Sequence, residues 1–183
     1  MFYLLKSRFL PCALASLMLT GCNMRLMGVG GTSEPILLSQ GESHSVDLFT
    51  SQKRVDTNIV LAQGRDYALD IVTLSHWIDG DIAVNEEGEP LDQRGFDNSQ
   101  MPLSLLGIFR RSRQHRWFEL MLYQPDCADA SLRGVTDLEV DASSGSYLFV
   151  AQCDGELTLF VNDSYRTYLH NVGYANIALS RIN

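Results

Sequence analysis

The sequence lacks an apolar run long enough to span a membrane, an excess of basic residues, and the common catalytic motifs. Its 183 residues include 14 Lys and Arg against 22 Asp and Glu, which gives a net charge of −8. A chain this acidic is not expected to bind nucleic acid, because that interaction needs Lys and Arg to neutralise phosphates. The sequence contains no G-x-S-x-G, H-E-x-x-H or P-loop motif, and its four histidines are scattered. We therefore expect a protein that is not an enzyme.

The first 22 residues have the organisation of a secretory signal. Lys6 and Arg8 precede a mostly apolar run over residues 9–19, which is about half the roughly 20 residues that a spanning helix needs. The run ends in Leu-Thr-Gly-Cys, which resembles the lipobox of bacterial lipoproteins and implies lipidation at Cys22; the alternative is an ordinary signal peptide with a chance cysteine. Asn23 stands where Asp would favour inner-membrane retention in those lipoproteins. The resemblance thus implies a lipid anchor in the outer membrane, with the domain facing the periplasm.

Removing residues 1–21 as a signal peptide leaves 162 residues with a net charge of −10, since that segment holds two basic residues and no acid. Residues 22–34 are glycine-rich and aperiodic, so we expect the lipidated cysteine to be followed by a flexible tether. Residues 35–183 are then long enough for one domain with its own core.

Two of the four cysteines, Cys127 and Cys153, lie in this domain. In an oxidising periplasm we expect them to form a disulfide with each other. Two free thiols, or pairing with another chain, are the alternatives.

Short runs of β-type composition recur along the domain, separated by turn residues such as Asp79-Gly80, Glu87-Gly88 and Asp154-Gly155. Asp154-Gly155 is typical of a tight hairpin. No segment has a long helical period, so the pattern predicts an all-β fold, a single β-sandwich or jelly roll. We expect Trp77 and Trp117 to belong to its core. The predicted strands cover residues 35–38, 45–49, 58–61, 66–74, 81–84, 102–109, 116–123, 135–140, 145–152, 156–161 and 176–182.

A polar loop lies between the last two predicted strands. It carries Asp163, Thr167, His170 and Asn171, together with the backbone carbonyl of Ser164. Carboxylate, hydroxyl, amide and carbonyl oxygens are the ligands that calcium prefers. The loop is therefore a candidate ligand site, and the alternative is an Asn/Asp turn that only closes the sandwich.

The C-terminal stretch GELTLFVNDSYRTYLHNVGYANIAL resembles the galactose-binding-like β-sandwich domains of galactophilic bacterial lectins. In that family a G-x-L-x-L strand ends in N-D, and a loop D-x-x-x-T-Y-x-N-N-x-G leads into the last strand. The spacing is kept here by Asp163, Thr167, Tyr168, Asn171 and Gly173. The stretch PLSLLGIF, residues 102–109, also resembles the family's middle strand.

The resemblance implies a jelly-roll-like, galactose-binding-like sandwich in which calcium bridges the protein and sugar hydroxyls. Asp163, Thr167 and Asn171 would then be calcium ligands, and Ser164 would add its carbonyl. His170 stands where the family has the first residue of its Asn-Asn pair. The family also has a tyrosine ligand after the strand predicted at 66–74, where this sequence has Trp77 and no tyrosine.

One basic cluster, FRRSRQHRWF over residues 109–118, stands out in the acidic chain. Arg110, Arg111, Arg113 and Arg116 could contact phosphates of lipopolysaccharide, or carboxylates of a glycan or a partner protein. The alternative is a solvated hairpin tip.

The acidic stretch WIDGDIAVNEEGEP, residues 77–90, lacks the D-x-D-x-D-G spacing of a calcium loop. We expect its five acids to lie in solvated turns.

These observations lead to two hypotheses for a non-enzymatic outer-membrane lipoprotein. The first is a carbohydrate-binding module that uses the loop from Asp163 to Asn171, with calcium as a possible cofactor. The second is a protein-interaction lipoprotein of the envelope. Such a lipoprotein could be a subunit of a secretion or surface assembly, or a periplasmic immunity protein against a toxin.

Overall fold

The computed structural model describes residues 34–183, which belong to one compact unit. The predicted signal peptide, the lipidation site Cys22 and all but the last residue of the predicted tether lie outside the described residues. No helix within residues 34–183 is long and apolar enough to cross a bilayer.

In the described part of the chain, ten strands form two five-stranded sheets, which confirms the prediction of an all-β sandwich. The first sheet has the order β1-β3-β9-β5-β6, and the second has the order β2-β10-β4-β8-β7. The strands are β1 (Ile36–Leu37), β2 (Ser43–Phe49), β3 (Val55–Leu61), β4 (Asp66–Asp79), β5 (Leu120–Tyr123), β6 (Arg133–Gly134), β7 (Glu139–Val140), β8 (Tyr147–Val150), β9 (Gly155–Val161) and β10 (Asn171–Arg181). Short 3₁₀ helices cover Asn98–Gln100, Ser104–Phe109, Pro125–Ser131, Val135–Asp137 and Tyr168–His170.

The two C-terminal strands form the centres of the two sheets. β9 lies between β3 and β5, and β10 lies between β2 and β4; all four pairings are antiparallel. Among the strands within residues 34–183, the pairing of β1 with β3 is the only parallel one. Because β9 and β10 belong to opposite sheets, the chain between them must cross from one sheet to the other over the end of the sandwich.

The core lies between the sheets and is filled by the inward side chains of the central strands. Leu157 and Leu159 of β9 and Ile177 and Leu179 of β10 are buried, as the period of two requires. Both tryptophans are buried as predicted. The Trp77 ring meets the ring of Phe118 edge to face, with centroids 5.8 Å apart.

Residues 102–109 are not the strand that the sequence predicts, and the family's middle strand is not located there. Ser104–Phe109 is a 3₁₀ helix, and Leu103, Leu105 and Ile108 are exposed. Leu106 of this run packs against the core, so the run is apolar partly for packing and partly because it forms an exposed surface.

Two other local predictions also fail because of where the partner strands lie. Asp154-Gly155 does not close a hairpin, since β8 and β9 are in different sheets. Residues 81–84 form only isolated bridges, Asp79 with Ile82 and Val84 with Pro90.

The predicted disulfide between Cys127 and Cys153 is confirmed. It ties the 3₁₀ helix Pro125–Ser131, which follows β5, to the segment that carries the chain from β8 to β9. The Gln124 side chain supports the same junction by donating from Nε2 to the Cys153 carbonyl at 2.7 Å. The bond thus pins the crossing from the second sheet back to the first.

We expect the double variant Cys127→Ala/Cys153→Ala to have a free energy of unfolding lower by about 3 kcal/mol, because the bond restricts the unfolded chain over a separation of 26 residues. Urea denaturation followed by tryptophan fluorescence measures this. Wild-type protein with the bond reduced should lose a similar amount. A variant as stable as the oxidised protein would contradict the expectation.

Candidate functional site

Residues 162–170 carry the chain from β9 to β10 across one end of the sandwich, where Asp79, Asp163 and Asn171 come together. β9 ends at Val161, and β10 begins at Asn171. Asn171 is the register partner of Asp79, the last residue of β4. Asp163 follows β9, and its carboxylate accepts a hydrogen bond from the side chain of Asn171. Residues from β4, β10 and the crossing loop therefore meet at a single point.

Asp163 organises the loop through its buried carboxylate. Its Oδ1 accepts hydrogen bonds from the Ser164 backbone N–H at 2.5 Å and from Thr167 Oγ1 at 2.7 Å. Its Oδ2 accepts from Asn171 Nδ2 at 2.9 Å. The carboxylate thus fixes both the start of the loop and the start of the next strand.

Asn171 has one buried oxygen that no hydrogen bond satisfies. Its Nδ2 donates to Asp163 and to the Thr50 carbonyl, the latter at 3.3 Å. Its Oδ1 is buried and has no hydrogen-bond partner within residues 34–183. A buried acceptor without a donor costs about 1–3 kcal/mol, so this atom is either a source of strain or a ligand for something that binds here.

The carboxyl group of Asp79 is half-buried next to that of Asp163. Burial, followed by the negative charge of Asp163, raises the pKa of Asp79 from an ordinary value of 3.8 to about 7. When both groups are ionised they repel each other, unless a proton or a cation offsets the repulsion.

The structure brings together Asp163, Thr167 and Asn171, three of the five predicted site residues. Ser164 lies beside them, but its carbonyl already accepts from the N–H of Thr167 at 3.1 Å and from its Oγ1 at 3.0 Å. The side chain of His170 is exposed. Only the His170 backbone takes part in the turn, by donating to the Thr167 carbonyl at 2.8 Å.

Asp79 is the site residue that sequence reasoning missed. We expected it in a solvated turn, and the strand predicted from the sequence ended at residue 74. The strand continues to Asp79, past five consecutive exposed residues at 72–76. The sequence signal that could have placed Asp79 in the strand is Trp77 followed by Asp79-Gly80. A buried tryptophan at position 77 keeps the chain in the sheet to within two residues of Asp79, and Gly80 then ends the strand.

Three of the four site residues line an open cavity of about 510 Å³, and Asn171 is not among its lining residues. Asp79, Asp163 and Thr167 contribute its polar part. The opposite wall comes from the 3₁₀ segment Ser104–Phe109 and its neighbours. The remaining lining residues are Met101, Leu106, Phe109, Trp117, Ser164, Tyr165 and Arg166.

Hydrogen bonds of Tyr168 and Arg111 anchor the loop to the rest of the fold. The buried Tyr168 hydroxyl donates to the Val161 carbonyl at 2.5 Å and accepts from the Arg111 guanidinium at 3.0 Å. Burial raises the pKa of Tyr168 to about 12, so this hydroxyl keeps its proton at physiological pH. The loop is therefore a fixed part of the fold.

Three of the four arginines that the sequence singled out are engaged inside the molecule. The Arg111 guanidinium lies 3.5 Å from the ring centroid of Phe160 and 4.8 Å from that of Tyr165. The Arg110 guanidinium lies 5.5 Å from the centroid of Trp117, and Arg116 forms an ion pair with Glu86.

Arg113 is the exposed member of this group; its Nε donates to the Ile108 carbonyl at 3.3 Å. The segment is an irregular loop and not the expected hairpin tip. Contact of these arginines with a partner stays a prediction.

A second polar cluster lies beside Arg111. Ser112 Oγ is 2.5 Å from His115 Nδ1, and His115 Nε2 is 2.8 Å from an Asp137 carboxylate oxygen. The buried Asn162 fixes this turn by bonding the Ser112 backbone at both N–H and C=O, each at 2.8 Å. However, Ser112 is buried and Asp137 is exposed. Hydrolytic triads have the opposite arrangement, because the nucleophile must reach the substrate.

The oxygen atoms around Asn171 are suitable ligands for a hard cation such as calcium. They are the carboxylates of Asp79 and Asp163, the hydroxyl of Thr167 and the unpartnered Oδ1 of Asn171, all oxygens of the kind that calcium selects. No group of three or more His, Cys, Asp or Glu side chains is arranged for a metal within residues 34–183. A cation here would therefore depend on two carboxylates completed by neutral oxygens.

Comparison with solved structures shows a distant structural likeness to a lectin domain. No protein-family model and no curated protein matches the chain. A solved structure described as the N-terminal domain of EclA, a PllA-like lectin, is 14% identical with a TM-score of 0.48. The match covers 75% of this chain and 94% of that one. A likeness at this level does not identify a ligand, which has to be argued from the residues themselves.

In calcium-free buffer, we expect Asp79→Asn to raise the free energy of unfolding by about 2 kcal/mol at pH 7.5. The folded-state pKa of Asp79 is raised from 3.8 to about 7, so its ionisation destabilises the fold increasingly as the pH rises from about 4 to about 7. Urea denaturation across this range measures the difference, which should vanish near pH 4.

The matched control is Asp81→Asn, which removes an exposed carboxylate two residues away. It should change stability by less than about 0.5 kcal/mol. Equal stabilities of Asp79→Asn and wild type at pH 7.5 would show that the two carboxylates do not repel each other.

Proposed function

We propose that this protein is a calcium-dependent carbohydrate-binding module. The observation that carries the proposal is that the carboxyl groups of Asp79 and Asp163, which interact electrostatically, line an open cavity. Asn171 is hydrogen-bonded to Asp163, and its buried Oδ1 atom has no hydrogen-bond partner within residues 34–183. A cation would remove the repulsion between Asp79 and Asp163 and would satisfy Asn171 Oδ1. The sequence resemblance to galactophilic lectins supports a sugar with vicinal hydroxyls, of galactose type, as the ligand.

The residues that would hold the cation are Asp79, Asp163, Thr167 and Asn171. When bound, calcium would supply a positive charge with open coordination positions for sugar hydroxyl oxygens. The chain itself presets the geometry, because Asp163 is already bonded to both Thr167 and Asn171. Little conformational entropy would be lost on binding.

The cavity suits a saccharide in both shape and chemistry. Sites for small molecules are mostly apolar with a few fixed polar groups that set orientation. Here Asp79 and Asp163 supply the polar groups, while Phe109 and Tyr165 offer ring surfaces that the C–H face of a sugar can cover. A neutral ligand also suits the acidic chain, since an anionic one would be repelled.

We expect wild-type protein to bind calcium and, only with calcium present, galactose or methyl galactoside in isothermal titration calorimetry. In Asp79→Asn, the affinities for calcium and for the galactoside should each fall by at least about tenfold, because one charged calcium ligand is removed. This variant tests the site more cleanly than Asp163→Ala, since the side chain of Asp163 also holds the loop together. Asp81→Asn is the matched control and should bind as wild type does.

The proposal fails if wild type binds neither calcium nor any sugar on a glycan array. If sugar binding persists both in excess chelator and in Asp79→Asn, the carbohydrate part of the proposal stands and the cation part is wrong.

We also propose that the domain is displayed from the outer membrane by lipid at Cys22, facing the periplasm. Several acyl chains together make a stable anchor, at about 0.8 kcal/mol per buried CH₂. Support comes from the signal-like order of residues 1–22. A tethered binding module would keep its glycan ligand close to the envelope surface.

Expression of the full chain in a Gram-negative cell with labelled palmitate tests the anchor. Wild type should incorporate label and sediment with outer-membrane fractions, whereas Cys22→Ala should incorporate none and become soluble, because the acylated thiol is lost. Label retained in Cys22→Ala would place the modification elsewhere.

A further inference from the structure

We propose that the protein has a second binding site, for a phosphate monoester, in a polar cavity lined by Arg113 and Arg133. This cavity has a volume of about 570 Å³ and shares no lining residue with the cavity that contains Asp79 and Asp163. The inference is therefore independent of the proposed carbohydrate function. It gives a role to the basic cluster, which that function does not use.

The lining of this cavity is positively charged, although the chain as a whole is acidic. Arg111, Arg113 and Arg133 line it together with two aspartates, Asp129 and Asp137. None of these arginines forms an ion pair with a carboxylate within residues 34–183. An anion in this cavity would therefore meet local positive charge, in contrast to the net charge of −8 of the whole sequence.

Two of the arginines keep open hydrogen-bonding faces. Arg113 uses only its Nε, which donates to the Ile108 carbonyl at 3.3 Å. Arg133 uses only its Nη1, which donates to the Leu132 carbonyl at 2.8 Å. The Nη groups of Arg113 and the Nε and Nη2 groups of Arg133 thus have no partner in the described part of the chain. Each such pair of neighbouring N–H groups is a fork that can bind two oxygens of one anion.

Arg113 and Arg133 belong to different elements, which Asp137 ties together. Arg113 lies in the loop before β5, and Arg133 lies on β6. The Asp137 Oδ2 atom accepts hydrogen bonds from the Gly134 backbone N–H at 2.9 Å and from His115 Nε2 at 2.8 Å. Because these two bonds join the loop to β6, they fix the backbone positions from which the two arginines extend.

The turn that carries Arg113 is also fixed by the buried side chain of Asn162. Asn162 bonds the Ser112 backbone at both N–H and C=O and donates to the Arg116 carbonyl, each at 2.8 Å. The backbone on both sides of Arg113 is therefore held before any ligand binds. A site whose backbone is already in place loses less conformational entropy on binding.

The number of open donors favours a phosphate over a carboxylate. A carboxylate has two oxygens and fills one fork, whereas a phosphate monoester has three terminal oxygens and can engage both forks. At about 570 Å³, the cavity also has room for the group that carries the phosphate. Sugar phosphates and phospholipid headgroups share this chemistry.

An NMR titration of the ¹⁵N-labelled protein tests the inference. The probes are glucose 1-phosphate, glycerol 3-phosphate and glucuronate, at physiological ionic strength and with excess chelator. We expect at least one of the two phosphates to bind about fivefold more tightly than glucuronate, because a carboxylate fills only one fork. The chemical-shift changes should be largest at the backbone amides of Arg113, His115 and Arg133.

In Arg113→Gln and in Arg133→Gln, the affinity for the phosphate should fall by about tenfold, because each variant loses one charged fork. Arg65→Gln is the matched control, since it removes the same charge from an exposed residue outside the cavity. It should bind as wild type does. Thermal denaturation verifies that all three variants remain folded.

The two phosphates identify the source of the ligand. Tighter binding of glucose 1-phosphate would support a phosphorylated saccharide, and tighter binding of glycerol 3-phosphate would support a phospholipid headgroup. The proposal is wrong if glucuronate binds as tightly as both phosphates, if Arg65→Gln weakens binding as much as the two cavity variants do, or if no probe binds. Because the probes are not galactosides and calcium is absent, none of these outcomes bears on the proposed carbohydrate function.

Discussion

The candidate site depends on one buried carboxylate. Asp163 stands where the chain leaves β9 and must cross to the other sheet, and it accepts hydrogen bonds from Ser164, Thr167 and Asn171. Those bonds bend the loop and fix the start of β10. Because β10 is central in its sheet, Asn171 is held opposite Asp79. The like-charge contact with Asp79 and the unpartnered oxygen of Asn171 follow from the same crossing.

The fold class was predictable because period-two patterns and turn residues are local signals. β9 was found from its alternation, the predicted strand over residues 176–182 matches the second half of β10, and the disulfide followed from counting cysteines. The pairing of strands was not predictable, since it depends on partners distant in the sequence. Asp154-Gly155 has the composition of a hairpin turn but joins strands of opposite sheets. Residues 102–109 are as apolar as a strand, yet Ser104–Phe109 is a 3₁₀ helix outside both sheets.

Only those residues of the site that are close together in the sequence could be predicted. Asp163, Thr167 and Asn171 lie within nine residues, so their spacing could be read directly. Asp79 comes from a strand more than 80 residues earlier, and only the sheet register places it opposite Asn171. The same limit applied to the arginines. In the sequence they form a basic cluster, but contacts with Phe160, Tyr165 and Glu86 engage them within the fold.

The internal use of these arginines also bears on the ligand. In a chain with a net charge of −8, three arginines of the basic cluster are engaged inside the fold, and the exposed Arg166 supplies a positive charge among the residues that line the cavity. An anionic ligand would meet the carboxyl groups of Asp79 and Asp163 in the same cavity, so Arg166 would have to offset their repulsion. A neutral molecule meets no such repulsion, and the proposed carbohydrate is a ligand of this kind. Such a ligand would owe its affinity more to fit than to long-range attraction, and its binding would depend only weakly on salt.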